Sequence, residues 1–264
     1  MTTGKADAFL ALHQTADGQW CSPFRATFGS IDADEHFDFT TFLNAINLAL
    51  KSFEIEKIVL KPSPSYFQTK HLDMVSSVFN DTVIEYAELN YHLFLVNKTF
   101  ESGLHKSKKW RLNKLLKSSY HFNKVENPDL KLIHTFIANA RNRKGYPITT
   151  TMTDFELLVK QFHNHYHFFE VKQGHKLAAV GVCVDLGKGV FYNFYSADSN
   201  EFSKDAPMLL LYKGMYDFAA SQHYKVFDLG ISTYLGSRNE GLIQFKKSLG
   251  AIETNKYILT VFSK

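Results

Sequence analysis

Asp228 stands near the carboxyl end of the apolar run Phe227-Asp228-Leu229-Gly230-Ile231-Ser232, which reads as a buried central strand. Open α/β sheets bind ligands beyond the carboxyl ends of their strands, so a carboxylate there could orient an incoming amine or accept its proton. It could equally cap the backbone amides around Gly230 and Ser232. A loop further on, an amphipathic helix from Glu240 to Leu249 carries Lys246 and Lys247 close to Gly250. Cations near a glycine cap suit the negative end of a helix, and spacing alone asks no more of them.

Two other constellations carry possible chemistry. From Lys98 to Lys124 eight Lys or Arg, among them Lys106, Lys109 and Arg111, face the single acid Glu101, a local balance of +7 against +4 for the chain. Such a cluster favours phosphate, nucleic acid or an anionic surface, with Trp110 available to stack, or it forms a solvated helix face. His163 and His167 would share one face of a helix at a spacing that some metal sites use. No acid or thiol lies close enough in sequence to complete such a site, so no metal is expected.

The elements that must position these groups read as two α/β halves of a 264-residue chain whose 45% hydrophobic content is ample for a core. Phe39, Phe42, Leu43, Ile46, Leu50 and Phe53 fall at helical spacing, followed by a strand Lys57 to Lys61, then a helix over Leu72, Val75, Val78 and Phe79. Thr82 to Tyr86 and Tyr91 to Val96 read as paired strands, and Trp20 to Ser30 as a strand with a turn at each end. The second half opens with a helix on Leu130, Ile133, Ile137 and Ala140 that stops at Gly145-Tyr146-Pro147. Thr153 with Glu156 then gives a capping box for the next helix. A hairpin across Gly174-His175, a strand Val190 to Ser196, a long helix opened by Pro207, the strand Lys225 to Leu229, the Glu240 helix and a last strand Ile252 to Phe262 complete the order. The expected division is residues 1–97, a basic connector 98–127, and residues 128–264.

Cys183 lies in an apolar run and Cys21 is the one other cysteine, which supports neither a disulfide framework nor a thiolate metal site. The first residues carry charge where a secretory signal has an apolar core. No apolar run approaches the roughly 18 residues that span a bilayer. A cytoplasmic location without stable membrane insertion is expected.

Two helices, three strands, helix, strand, helix, strand is the order of the GNAT core, which the second half resembles. Ser22-Pro23 through Gly29, the basic stretch Lys106 to Lys117, Asp228-Leu229-Gly230, and Gly241 with Phe245-Lys246 and Gly250-Ala251 are in turn similar to motifs of the Fem-type acyltransferases. The resemblance implies an α/β (α+β) protein with two GNAT-like lobes, each a mixed twisted sheet flanked by helices, the N-terminal one degenerate. It implies transfer of an acyl or aminoacyl group from acyl-CoA or aminoacyl-tRNA to an amine of a small molecule or cell-envelope precursor, with tRNA as a possible partner.

By the same resemblance, the Phe245 carbonyl and Lys246 ammonium lie beside the tetrahedral intermediate, with Asp228 as the third catalytic candidate. The donor enters a gap between the strands ending at Ser196 and Gly230, with Tyr195, Ser196, Lys204, Gly230 and Ser232 as donor contacts. Arg25, Tyr192 and Arg238, with Glu240, are the expected acceptor contacts. The stretch Glu201 to Met208 departs from the GNAT pattern, for it has no glycine. Pro207 removes an amide donor and Glu201 and Asp205 add negative charge where a pyrophosphate would sit, which favours aminoacyl-tRNA over CoA. A non-catalytic binding protein and an RNA-binding module built on residues 98–124 are the alternatives.

Overall fold

The computed structural model describes residues 8–24, 26, 28–29, 31–33, 38–67, 82–146 and 148–263, and the chain forms two compact units. One comprises Met1–Asn90, Ile231–Asn239 and Glu253–Lys264; the other comprises Tyr91–Gly230 and Glu240–Ile252. These do not follow the linear division at residues 97 and 127 expected from sequence. The last strand, β14 (Ile252–Phe262), pairs antiparallel with β5 (Lys57–Leu60), which returns the C-terminal residues to the first unit.

In the first unit β2 (His13–Gln14), β3 (Trp20–Ser22), β5, β14 and β6 (Thr82–Phe94) lie side by side in that order, with β3 and β5 parallel. A separate pair joins β1 (Ala8–Leu10) to β4 (Ile31–Ala33). Helix α1 (Phe39–Ser52), capped by Asp38, presents Ile46 and Leu50 to Ile58, Leu60, Leu259 and Val261. Residues 82–86 and 91–96 are not two paired strands. With no glycine or proline between Thr82 and Phe94, nothing breaks the chain, and it runs as the single strand β6. Strand β3 stops at Ser22, well before Ser30, and the helix expected over Leu72 to Phe79 lies outside the described residues.

The second unit takes up β6 at Tyr91. The order is then β6, β11 (Val226–Ile231), β10 (Val190–Asp198), β9 (Lys176–Asp185), β8 (Tyr166–Gln173) and β7 (Tyr120–Val125). From β7 to β10 the neighbours are antiparallel, whereas β10 and β11 are parallel. The expected connector is no linker. It forms α2 (Phe100–Gly103), α3 (Lys106–Leu116) and the edge strand β7, and it buries Leu112, Leu115 and Tyr120. Its apolar positions are sparse among lysines, so charge concealed the buried side of a helix that the sequence itself suggests.

Helices α4 (Leu130–Arg143) and α5 (Met152–Gln161) cover one face of this sheet, packing Ile133, Ile137, Ala140 and Phe155 against Phe168, Val180, Val182 and Tyr195. The cap of α5 is Thr151, whose hydroxyl accepts from the Asp154 amide; it is not Thr153. On the other face lies α6 (Pro207–Ser221), with Phe218 against Phe169 and Phe191. A short 3-10 helix (Asn200–Asp205) leads into α6, and α7 (Glu240–Ser248) follows β11 and the small hairpin of β12 (Thr233–Tyr234) with β13 (Ser237–Arg238). No described helix is long and apolar enough to cross a membrane.

Candidate active site

The parallel ladder between β10 and β11 covers Val190↔Val226, Phe191↔Phe227 and Tyr192↔Asp228. Beyond that rung β10 runs on to Asp198, paired with β9, and β11 runs on to Ile231. Two adjacent strands whose ladder stops while both continue leave their backbone groups to other partners, side chains or a ligand.

Gly230 sits on β11 where the ladder has ended, and its peptide groups are held at both ends. Asp228 Oδ1 accepts from its amide at 2.8 Å, and Lys246 Nζ donates to its carbonyl at 2.7 Å. Gly230 has φ +78°, with the Tyr192 ring close by. Both charged side chains are buried, Asp228 completely and Lys246 to 1% exposure. Burying an ammonium is costly unless it is bonded and offset, so the fold specifies this lysine rather than tolerating it. It does not serve the solvent-exposed helix end, as spacing alone would have allowed. Its ring neighbour is Tyr91, whose centroid lies 5.9 Å from Nζ.

A β-bulge between Asn193 and Tyr195 decides what else enters this region. One extra residue reverses the alternation of faces. Asn193 and Ser196 consequently point the same way, toward α6, where Asn193 Nδ2 donates to Tyr212 Oη at 3.0 Å and Ser196 Oγ lies 2.9 Å from it. Tyr195 turns to the opposite face, its hydroxyl 3.0 Å from Thr150 Oγ1 and its ring among the α4 side chains, apart from Ser196 and Tyr212. Asn193 Oδ1 is buried and accepts no hydrogen bond from a described residue. Leaving such an amide oxygen unsatisfied costs about 1–3 kcal/mol, which a ligand N–H would recover.

Burial pushes the Tyr212 hydroxyl up to about 12, partly offset by its bonds to Ser196 and Asn193. Unfolded tyrosine ionises near 10, so between these values the folded state binds more protons and stability falls as pH rises. Tyr212→Phe is expected to flatten that slope, read as the change in urea midpoint between pH 9 and pH 11. An unchanged slope would show that Tyr212 ionises normally.

Phe245 contributes its ring, 5.5 Å from that of Tyr212. Its carbonyl, expected beside the reacting carbon, instead accepts from Ser248 Oγ at 2.6 Å, because residue 245 lies within α7 and its carbonyl points along the helix toward its C-terminal end. Lys204 lies on the 3-10 helix beside a cleft shared with Arg111, whereas Lys106 and Lys109 do not line that cleft. Ser232 and Arg238 belong to the first unit, where the Ser232 amide donates to the Leu89 carbonyl and Arg238 is exposed on β13. Arg25 lies outside the described residues.

His163 and His167 do not share a helix face, since α5 ends at Gln161 and His167 is on β8 against Phe191 and Phe218. Among the described residues no group of three His, Cys, Asp or Glu could hold a metal. Asn193 and Tyr212 were not among the sequence candidates. The available signal for Asn193 was a lone amide inside the aromatic run Phe191-Tyr192-Asn193-Phe194-Tyr195.

This arrangement belongs to the Fem/GNAT-like fold, a mixed sheet flanked by helices. The solved structure of FemX is similar over 99% of this chain and 86% of its own length, with a TM-score of 0.69 and 14% identity. The C-terminal domain of a putative lysylphosphatidylglycerol synthetase from Agrobacterium fabrum follows at TM-score 0.68 and 12% identity, covering 97% of this chain and 80% of its own. A tandem GNAT protein from the clavulanic acid biosynthesis pathway is similar at TM-score 0.51 and 10% identity over 92% and 77% of the two chains. No family model and no curated protein sequence matches the chain.

Proposed function

We propose that this chain is a cytoplasmic N-acyltransferase that moves an acyl or aminoacyl group from acyl-CoA or aminoacyl-tRNA to an amine of a small molecule or cell-envelope precursor. The observation that carries this reading is the β10–β11 ladder that stops at Tyr192↔Asp228, with a buried ammonium on one side of the strand end and the acceptor Asn193 Oδ1 on the other strand. The lysylphosphatidylglycerol synthetase domain among the similar structures supports an aminoacyl cargo.

In the reaction, the amine lone pair forms the C–N bond while the carbonyl π electrons move to oxygen. Collapse then breaks the C–S or C–O bond, its electrons leave with the carrier, and the proton lost by nitrogen ends on the carrier's sulfur or oxygen. Positioning and charge stabilisation supply most of what this needs. Lys246 places positive charge at the strand end where the carbonyl oxygen would become anionic. Asn193 Oδ1 takes an N–H of the donor arm or of the amine. Tyr212 keeps its proton throughout the neutral range and can hold it near the leaving group.

The test is transfer of a labelled group from acyl-CoA and from charged tRNA to a panel of amines, with Asn193→Leu beside the parent chain. Transfer is expected, and Asn193→Leu should lower kcat/KM about fivefold or more, since the energy recovered at that oxygen is about 1–3 kcal/mol. No transfer from either donor by a folded chain would leave the non-catalytic reading, which the engaged Phe245 carbonyl already favours.

A further inference from the structure

In the second unit a cleft of about 290 Å³ opens between α3, the start of β7, the end of β8 and the 3-10 helix. Trp110, Arg111, Lys114 and Leu115 line it at helical spacing, so one side of α3 forms a wall, while Leu112, buried on the same helix, anchors it to the core. Lys204 faces that wall from the 3-10 helix.

The cleft sets three cations against one carboxylate, Asp205. Arg111, Lys114 and Lys204 make no ion pair with a described residue, although neighbouring cations are paired, as in Lys176 with Glu201 and Lys213 with Glu101 and Asp217. The carboxylate that lines the cleft, Asp205, accepts the Tyr120 hydroxyl at 2.7 Å. Three like charges around one small concavity repel one another, and an anion seated among them removes that repulsion. Arg111 supplies the planar fork that fits a phosphate bidentately, and Lys114 and Lys204 act as point charges. Trp110 lies at the same cleft with 67% of its surface exposed, an aromatic face available for stacking a base.

We propose that this cleft binds a phosphorylated nucleoside, with phosphate on Arg111, Lys114 and Lys204 and the base stacked on Trp110. That the nucleoside is the terminal part of an acyl carrier rests on the acyltransfer reading; the docking itself does not. Coenzyme A and the 3′ end of tRNA both present this chemistry, and the choice between them is one the test makes.

Adenosine 3′,5′-bisphosphate and a short RNA hairpin ending in CCA are titrated separately against the intact chain, followed by tryptophan fluorescence, with inorganic pyrophosphate to isolate the phosphate contribution. At least one nucleotide probe is expected to quench Trp110. Affinity should fall about tenfold or more in Arg111→Gln and in Lys204→Gln, and less than twofold in Lys106→Gln and Lys109→Gln, which lie outside the cleft. Trp110→Ala, titrated by calorimetry because it lacks the reporting indole, should reduce binding of the nucleotide probes toward that of pyrophosphate. For the hairpin, three phosphate contacts predict a roughly 20-fold loss between 50 and 200 mM salt.

Binding of the bisphosphate alone names a small nucleotide carrier, and tighter binding of the hairpin names RNA. If neither probe binds below about 1 mM, or if Arg111→Gln and Lys204→Gln leave affinity unchanged, the proposal is wrong even where acyl transfer is detected. Nucleotide binding by a chain that transfers nothing would leave it standing and remove the acyltransferase reading.

Discussion

Gly250→Ala is expected to destabilise the protein by about 3 kcal/mol or more, a large share of the 5–15 kcal/mol that holds a typical domain folded. Two costs combine. Residue 250 has φ +82°, a left-handed conformation that costs an L-residue about 1–2 kcal/mol. The added methyl would also overlap the carbonyl oxygen, carbon and Cα of Gly103, backbone atoms that cannot rotate aside, and forced overlap of this kind costs about 1–3 kcal/mol.

The contact is local but its consequence reaches the site. The end of α7 is fixed there by the His105 amide on the Ser248 carbonyl and by the amides of residues 249–251 on Lys246 and Lys247, so a shift of this joint moves Lys246 off Gly230. Gly174→Ala serves as the control, with φ +58° and open space around the new methyl, and should cost about 1–2 kcal/mol from the backbone alone. Urea denaturation of the two variants measures the difference, and equal midpoints would show that the Gly103–Gly250 approach is not tight.

Lys246→Met is expected to lower the acyl-transfer rate at least about 100-fold, the usual effect of removing one donor to a developing oxyanion. Methionine keeps the apolar stem, so packing around α7 is largely retained, while the Gly230 carbonyl loses its charged donor at a cost of about 1–3 kcal/mol in stability. The two effects separate by measurement. Single-turnover kinetics report the chemical step, and thermal unfolding reports the structural one. A variant that transfers within threefold of the parent rate, folded and with unchanged KM, would reduce Lys246 to a strut for the end of β11.

The sequence by itself determined the main helices and strands from Leu130 onward, because each is a strongly periodic segment bounded by glycine, proline or a capping residue: the hairpin at Gly174-His175, Pro207 opening α6, Gly250 closing α7; the short 3-10 helix and the β12–β13 hairpin carry no such pattern and were not foreseen. It also singled out Asp228, Gly230 and Lys246, which the structure brings together around one peptide group. It did not reveal the basic helix as part of a packed unit, since lysines outnumber the few apolar residues that anchor it.

Tertiary structure alone decided which face of β10 each of its side chains takes. A single inserted residue between Asn193 and Tyr195 exchanges the faces, putting Ser196 beside Tyr212 and sending Tyr195 to the α4 side, and no local propensity marks where a bulge falls. The end of the β10–β11 ladder and the gathering of Trp110, Arg111, Lys114 and Lys204 around one cleft are likewise long-range facts. Spacing along the chain fixes which residues share a helix face or strand side, whereas meetings between residues about 90 positions apart, such as Arg111 and Lys204, depend on how those elements pack.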